Sequence, residues 1–178
     1  MYKPEQDSFF FAEFLENYFS SLTSKQKQNL TYLDMGTGSG ILSQTAIKSK
    51  IPKKNITAVD IDKESIEHVK NKLKIQTIKS NLFSKLKDEK YNLVTFNPPY
   101  LPEHKHDKKP DTTGGKQGDE TIIRFLKQAK QHLKPRGKIL FLISSLTPQN
   151  KIKKYKPKVL ARKKIFFEEL LILEVKEN

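Results

Sequence analysis

The chain has 178 residues, a formal net charge of +14 and no cysteine, a size suited to one domain with one core and a composition without disulfides or thiolate metal ligands. No apolar run approaches the roughly 18 residues of a membrane span, and the first four residues lack the apolar stretch of a secretory signal, which predicts a soluble, cytoplasmic protein without membrane association. The positive charge suits acidic partners such as RNA, but only Arg124, Arg136 and Arg162 among 34 basic residues are arginines, and lysine lacks the planar fork that reads bases and phosphates.

Asp7 and Ser8 are good helix-capping residues, and Phe11, Leu15, Tyr18 and Leu22 share one face, predicting an N-terminal amphipathic helix over about 7–23. Residues 30–35 form a short apolar run ending in Asp34-Met35-Gly36-Thr37-Gly38-Ser39-Gly40, after which 41–47 reads as helix. A second strand over 56–59 closes on Asp60, and Asp62 caps a helix whose Ile66, Val69 and Leu73 lie together. Residues 75–78 form a weak strand suited to a sheet edge, and 93–96 a stronger one that runs into Asn97-Pro98-Pro99-Tyr100.

The polar, glycine-containing stretch 103–118 is expected as a mobile loop beside the site. Ile122, Phe125, Leu126, Ala129 and Leu133 mark a helix stopping near Pro135 and Gly137, and 139–143 is continuously apolar, as in a strand buried on both faces. A short segment near Val159 and Leu160 and a final strand over about 169–175 complete the chain. The alternation predicts a single α/β domain over 1–178 with a doubly wound, mostly parallel sheet, whose ligands bind at the carboxyl ends of the strands near the switch point.

Both candidate motifs stand at such ends. Gly36, Gly38 and Gly40 allow a tight turn and bring backbone N–H groups close to a ligand. Their spacing is not the dinucleotide fingerprint, and Asp34 would repel a pyrophosphate while suiting a cationic amino-acid ligand. Asp60, at the end of the next strand, is placed to accept hydrogen bonds from ribose hydroxyls. In Asn97-Pro98-Pro99-Tyr100 the prolines fix the backbone and remove its donors, leaving acceptors. An amide or aromatic NH2 has a delocalised lone pair. Asn97 Oδ1 and the Pro98 carbonyl can hold its two N–H bonds and turn that lone pair towards a methyl donor. Tyr100 can pack on the flat acceptor group.

With these residues the chain resembles the HemK-like protein glutamine methyltransferases, in particular their short eukaryotic and archaeal branch. The resemblance is carried by the head 2–9, the motif 34–40, Asp60, Asn81-Leu82-Phe83, Asn97 to Tyr100, the loop glycines Gly114, Gly115 and Gly118, Ser144-Ser145-Leu146, and Phe166-Phe167-Glu168-Glu169-Leu170. It implies a Rossmann-like class I methyltransferase with a seven-stranded sheet and an antiparallel C-terminal strand. It implies S-adenosylmethionine as cofactor and S-adenosylhomocysteine as product, surrounded by Ser8, Asp34, Gly36, Thr37, Gly38, Gly40, Asp60, Ile61, Asn81, Leu82 and Asn97. Asn97, Pro98, Pro99 and Tyr100 would hold the acceptor. Gln6 and Asn81 stand where the family usually has Glu and Asp. The family's substrate is the glutamine of the Gly-Gly-Gln loop in class I translation release factors, and this branch works as a heterodimer with a small zinc-binding activator protein.

Other readings stay open at this point. The proline-rich motif is shared with enzymes that methylate adenine or guanine in DNA or RNA, although the chain shows no base-stacking aromatic series or target-recognition module. Protein lysine methylation and a non-enzymatic binding module are further alternatives. His104-Lys105-His106-Asp107 is a single loop cluster without further residues to orient its side chains as ligands, so it reads as solvated and no metal site is expected. The lysines of 151–158 and 162–164 would be the contact surface if RNA were a partner.

Overall fold

The computed structural model describes residues 4–99 and 119–177. Seven strands form one sheet in the order β3-β2-β1-β4-β5-β7-β6: β1 (Tyr32–Met35), β2 (Ile56–Asp60), β3 (Gln76–Lys79), β4 (Tyr91–Phe96), β5 (Leu133–Ser144), β6 (Lys158–Ile165) and β7 (Glu168–Lys176). β1 to β5 are parallel, and β7 runs antiparallel to both of its neighbours. The order reverses between β1 and β4, creating the switch-point crevice expected for a doubly wound sheet.

Alternation along the strands sends side chains into two apolar layers. On one face α1 (Gln6–Ser20), α3 (Ile41–Lys48) and α4 (Lys63–Leu73) bury Phe11, Leu15, Ala46 and Val69 against Tyr32, Ile56 and Leu140. On the other, α5 (Glu120–Ala129) buries Phe125 and Leu126 against Leu33, Val94 and Phe141. Each fully buried side chain of this size contributes about 1.5–3 kcal/mol. The Phe125 ring also packs 4.6 Å from that of Phe96, which ties α5 to the last residue of β4, one position before Asn97. Among the described residues no helix is long and apolar enough to cross a membrane.

Several elements differ from expectation for local reasons. The first helix ends at Ser20, because Thr23 and Gln26 form a reciprocal capping box that starts a separate helix, α2 (Ser24–Asn29). Its start also differs. Glu5 precedes the first turn without a side-chain cap, while Asp7 and Ser8 are buried inside that turn. Asp62 does cap α4, accepting from the Glu64 and Ser65 N–H groups. Leu133 opens β5 instead of extending α5, and β5 passes Pro135 through an irregularity in its register with β4. β6 is a full eight-residue strand; its mostly exposed edge position removes the alternating pattern that announces strands in sequence.

Candidate active site

A cavity of about 320 Å³ opens at the carboxyl ends of β1, β2 and β4, within the size range of small-ligand sites. It is lined by the glycine turn, Asp60 and Ile61, Asn81 and Leu82, Asn97 to Pro99, the first turn of α1, and Thr121 and Arg124 of α5. Its described lining includes the carboxylates of Glu5, Asp7, Asp60 and Asp62 against the single guanidinium of Arg124. In a chain of net charge +14 this pocket is acidic, which favours a cationic ligand over a pyrophosphate.

The turn after β1 is braced from two sides. Gly36 has φ +62, and an added Cβ would lie 2.9 Å from the Phe96 ring, so only glycine lets the backbone pass there. The Gly38 N–H donates to Asp60 Oδ2 at 2.8 Å, and the Asp62 N–H donates to Asp60 Oδ1 at 2.9 Å. Asp60 thereby locks the turn to the end of β2 while keeping lone pairs for a ligand. Burial raises its carboxyl pKa, with the Asp62 and Gly38 N–H groups partly opposing the shift.

Asp34 takes a different place from the one expected. It is fully buried and does not line the cavity. Its Oδ2 accepts from the Thr37 hydroxyl at 2.8 Å, the Ser43 N–H at 3.1 Å and the Ser43 hydroxyl at 2.6 Å. Oδ1 is buried without a partner among the described residues. Desolvation pushes the Asp34 carboxyl up to about 6, against the lowering effect of the Ser43 and Thr37 hydrogen bonds. Because this pKa is raised, the folded protein binds more protons than the unfolded chain between about pH 4 and 6, and stability falls as pH rises through that window. Between pH 5 and 7.5 the parent should lose roughly 1 kcal/mol relative to Asp34→Asn, measured by denaturant unfolding at both pH values. Parallel stability profiles would remove the shift.

Gly40 is set back from the cavity wall. It stands outside the lining, at the N-cap of α3 with φ +78, and an added Cβ would lie 2.9 Å from Val69 Cγ2 and 3.2 Å from Leu73 Cδ1. Its work is to let α3 and α4 approach each other. Gly40→Ala should therefore cost about 1–3 kcal/mol in thermal unfolding through crowding and a strained φ. An unchanged melting temperature would contradict this.

The Asn97 side chain is held by groups from the other end of the sequence. Its Nδ2 donates to Asp7 Oδ2 at 3.0 Å and approaches Ser8 Oγ at 3.3 Å. These acceptors fix which way the amide points. Asn97 Oδ1 is then buried without a hydrogen-bond partner among the described residues, an arrangement that costs stability until a donor arrives. The site thus holds an oriented acceptor in demand of an N–H, next to Pro98 and Pro99.

Of the residues expected at the site, Ser8, Gly36, Thr37, Gly38, Asp60, Ile61, Asn81, Leu82, Asn97, Pro98 and Pro99 line one cavity. Tyr100, the 103–118 loop with Gly114, Gly115 and Gly118, and the cluster from His104 to Asp107 lie outside the described residues. The structure adds Asp7, Ser80, Phe96, Thr121 and Arg124 to the lining. Arg124 Nη2 donates to Asn81 Oδ1 at 3.0 Å and so sets the direction of the Asn81 amide. Ile61, 59% exposed, offers an apolar surface beside it.

A family model described as the methyltransferase small domain matches residues 15–164. A candidate protein N5-glutamine methyltransferase of Methanocaldococcus jannaschii is 31% identical over 190 residues, covering 97% of this chain and 90% of that protein. A release factor glutamine methyltransferase of Rhodopirellula baltica is 31% identical over 134 residues, with 65% of this chain aligned to 45% of its length. Among solved structures, a chain of the E. cuniculi Mtq2–Trm112 complex responsible for methylation of the eRF1 termination factor superposes with a TM-score of 0.76 at 21% identity, covering 99% of this chain and 98% of that one. The T. thermophilus 16S rRNA N2 G1207 methyltransferase RsmC, solved with AdoMet and guanosine, gives 0.69 at 17% identity over 99% of this chain and 44% of that one.

Proposed function

The chain belongs to the methyltransferase small-domain family, and we propose that it is an S-adenosylmethionine-dependent N-methyltransferase acting on the side-chain amide of the glutamine in the Gly-Gly-Gln loop of a class I release factor. The observation that carries this reading is the Asn97 amide, clamped through Nδ2 by Asp7 and Ser8 with Oδ1 buried and unpaired. A primary amide supplies the missing donor. With one N–H on Asn97 Oδ1 and the other on the Pro98 carbonyl, the acceptor nitrogen is held with its lone pair free.

The residues present fit the cofactor. The acidic lining suits a ligand bearing a sulfonium and an ammonium group, Asp60 retains lone pairs for ribose hydroxyls, and Ile61 and Leu82 form an apolar seat for a flat base. Asn81, oriented by Arg124, keeps an N–H donor and an acceptor lone pair for the edge of that base. When bound, S-adenosylmethionine supplies an electrophilic methyl group and leaves as the neutral thioether. Asn97 Oδ1 and the Pro98 carbonyl would hold the acceptor's two N–H bonds while its lone pair faced the transferable methyl, and the proton shed by the amide would pass to water, so no residue of the site need act as a general base before attack. Calorimetry should show binding of S-adenosylmethionine and S-adenosylhomocysteine and none of NAD; tight NAD binding without response to the sulfonium ligand would overturn the cofactor assignment.

The relatives support the acceptor. The R. baltica protein is named for release factors, and the E. cuniculi complex methylates a termination factor. RsmC, solved with guanosine, shares the fold and represents the rival acceptor, a nucleobase. Transfer of labelled methyl from the cofactor to a purified class I release factor and to total nucleic acid, measured side by side, separates the two. Label in nucleic acid alone would reject the glutamine reading. A small zinc-binding activator is the proposed heterodimer partner, as the E. cuniculi chain is paired with Trm112. β3 at the end of the sheet, with exposed or half-buried residues along its length, has no strand on its outer side among the described residues and offers an edge to such a partner. Co-expression should raise both soluble yield and specific activity; full activity of the isolated chain would count against a required partner.

A further inference from the structure

The carboxyl edge of the sheet carries a second feature that cofactor binding and methyl transfer leave unused. β6 and β7 are joined by the turn Phe166-Phe167, whose side chains are 84% and 100% exposed. Phe166 has φ +44, a conformation for which two-residue hairpins use Asn, Asp or Gly because larger side chains are strained there. An aromatic ring at this position adds strain and removes little apolar surface from water. The turn's own stability therefore does not account for it.

Topology places the tip on the side of the molecule where chemistry occurs. β6 runs in the direction of β1 to β5, so its end, like that of β4 at Asn97, faces the cavity side of the sheet. Two intervening strands set the lateral distance from β4 at about 10–14 Å. The loop after β5 spans part of this gap and exposes Leu146 by 60%. That loop is fastened to β7: the Ser145 N–H donates to the Glu169 carbonyl at 2.7 Å, the Glu169 N–H donates to Ser145 Oγ at 2.9 Å, and the Ser144 hydroxyl donates to the Glu168 carboxylate. Leu146, Phe166 and Phe167 are thus presented on one braced frame. The 14 residues leading into the turn, 151–164, include eight basic residues and no acidic one.

We propose that this hairpin tip is the docking surface for the acceptor protein, with Phe166, Phe167 and Leu146 meeting an apolar patch and the lysines beside them meeting acidic side chains near the methylated loop. The inference rests on the glutamine reading above and adds how the enzyme holds a whole protein. Exposed aromatics are the residues that dominate protein contacts when they become covered. RNA is the less suited occupant. Arg162 is engaged by Glu169 at 2.8 Å, and Glu168 and Glu169 at the base of the turn repel phosphate.

The test compares the parent with Phe166→Asn/Phe167→Ser on two substrates, an intact release factor and a short Gly-Gly-Gln peptide. Asn suits the positive φ, so the fold should survive, as cofactor affinity and melting temperature will report. KM for the intact factor should rise about 10- to 30-fold, while turnover of the peptide stays within about twofold. Lys163→Glu/Lys164→Glu should raise the same KM and reduce its salt dependence. An unchanged KM for the factor in the aromatic variant overturns the inference, as does an equal loss on peptide and factor. Competition by RNA that is seen with the parent and lost in the variant would assign the surface to RNA and overturn it as well. If the parent methylates glutamine in neither substrate, the glutamine reading itself falls and takes this occupant with it.

Discussion

Asn97→Ala should reduce single-turnover methylation of a Gly-Gly-Gln substrate by about 100- to 1000-fold, the loss typical of removing one positioned group at a reacting centre. The reason lies in what the side chain has already given up. Its Nδ2 is spent on Asp7 and Ser8, so Oδ1 has no other task in the described structure than to accept a donor. An acceptor that holds the amide N–H as its nitrogen rehybridises contributes mainly to kcat. Affinity for S-adenosylmethionine should change little, because Asp60, Asn81 and the glycine turn remain. Asp7→Ala gives an internal comparison: Ser8 Oγ still lies 3.3 Å from Nδ2, so the amide is loosened rather than removed, and a smaller loss of roughly tenfold in kcat is expected. If the folded, cofactor-bound Asn97→Ala protein reacts within a few-fold of the parent, Asn97 does not hold the acceptor and the Pro-Pro turn is only structural.

The parts of this site that sequence makes legible are those whose chemistry is local. Glycines after an apolar run, an acidic residue ending the next strand and an Asn before two prolines each announce a backbone or side-chain constraint within a few positions. Asp7 illustrates the limit. Beside a helix start it reads as a cap, whereas its partner Asn97 stands 90 positions away and is reached only through the folded sheet. Arg124 gives no signal at all as an isolated arginine on an exposed helix face, and its contact with Asn81 spans 43 positions. Asp34 and Gly40 are subtler: their residue types suit ligand binding, and it is their neighbours in the fold, Ser43 for one and Val69 for the other, that set which way they face. In the fold, Leu133 continues the apolar spacing of the preceding helix, yet pairing with β4 claims it for a strand. Competition between a local period and a distant partner is not visible from the period.

Asp60→Ala should weaken binding of S-adenosylmethionine and S-adenosylhomocysteine by roughly 100-fold or more, and it should do so through two routes. First, the carboxylate that would receive the ribose hydroxyls is lost, leaving those donors without partners in a partly buried site at about 1–3 kcal/mol each. Second, the Gly38 and Asp62 N–H groups lose the acceptor now 2.8 and 2.9 Å away, so the glycine turn is no longer braced against β2 and part of the binding energy is spent on ordering it. Asp60→Asn separates these routes. Its amide oxygen can keep one of the two backbone N–H groups, while its NH2 cannot accept from either, so an intermediate loss is expected. Calorimetric titration of the folded variants with S-adenosylhomocysteine measures both steps without requiring turnover. Affinity within threefold of the parent for Asp60→Ala would place the ribose elsewhere, whereas an equal loss in both variants would show that both carboxylate oxygens are needed and that one retained backbone contact does not suffice.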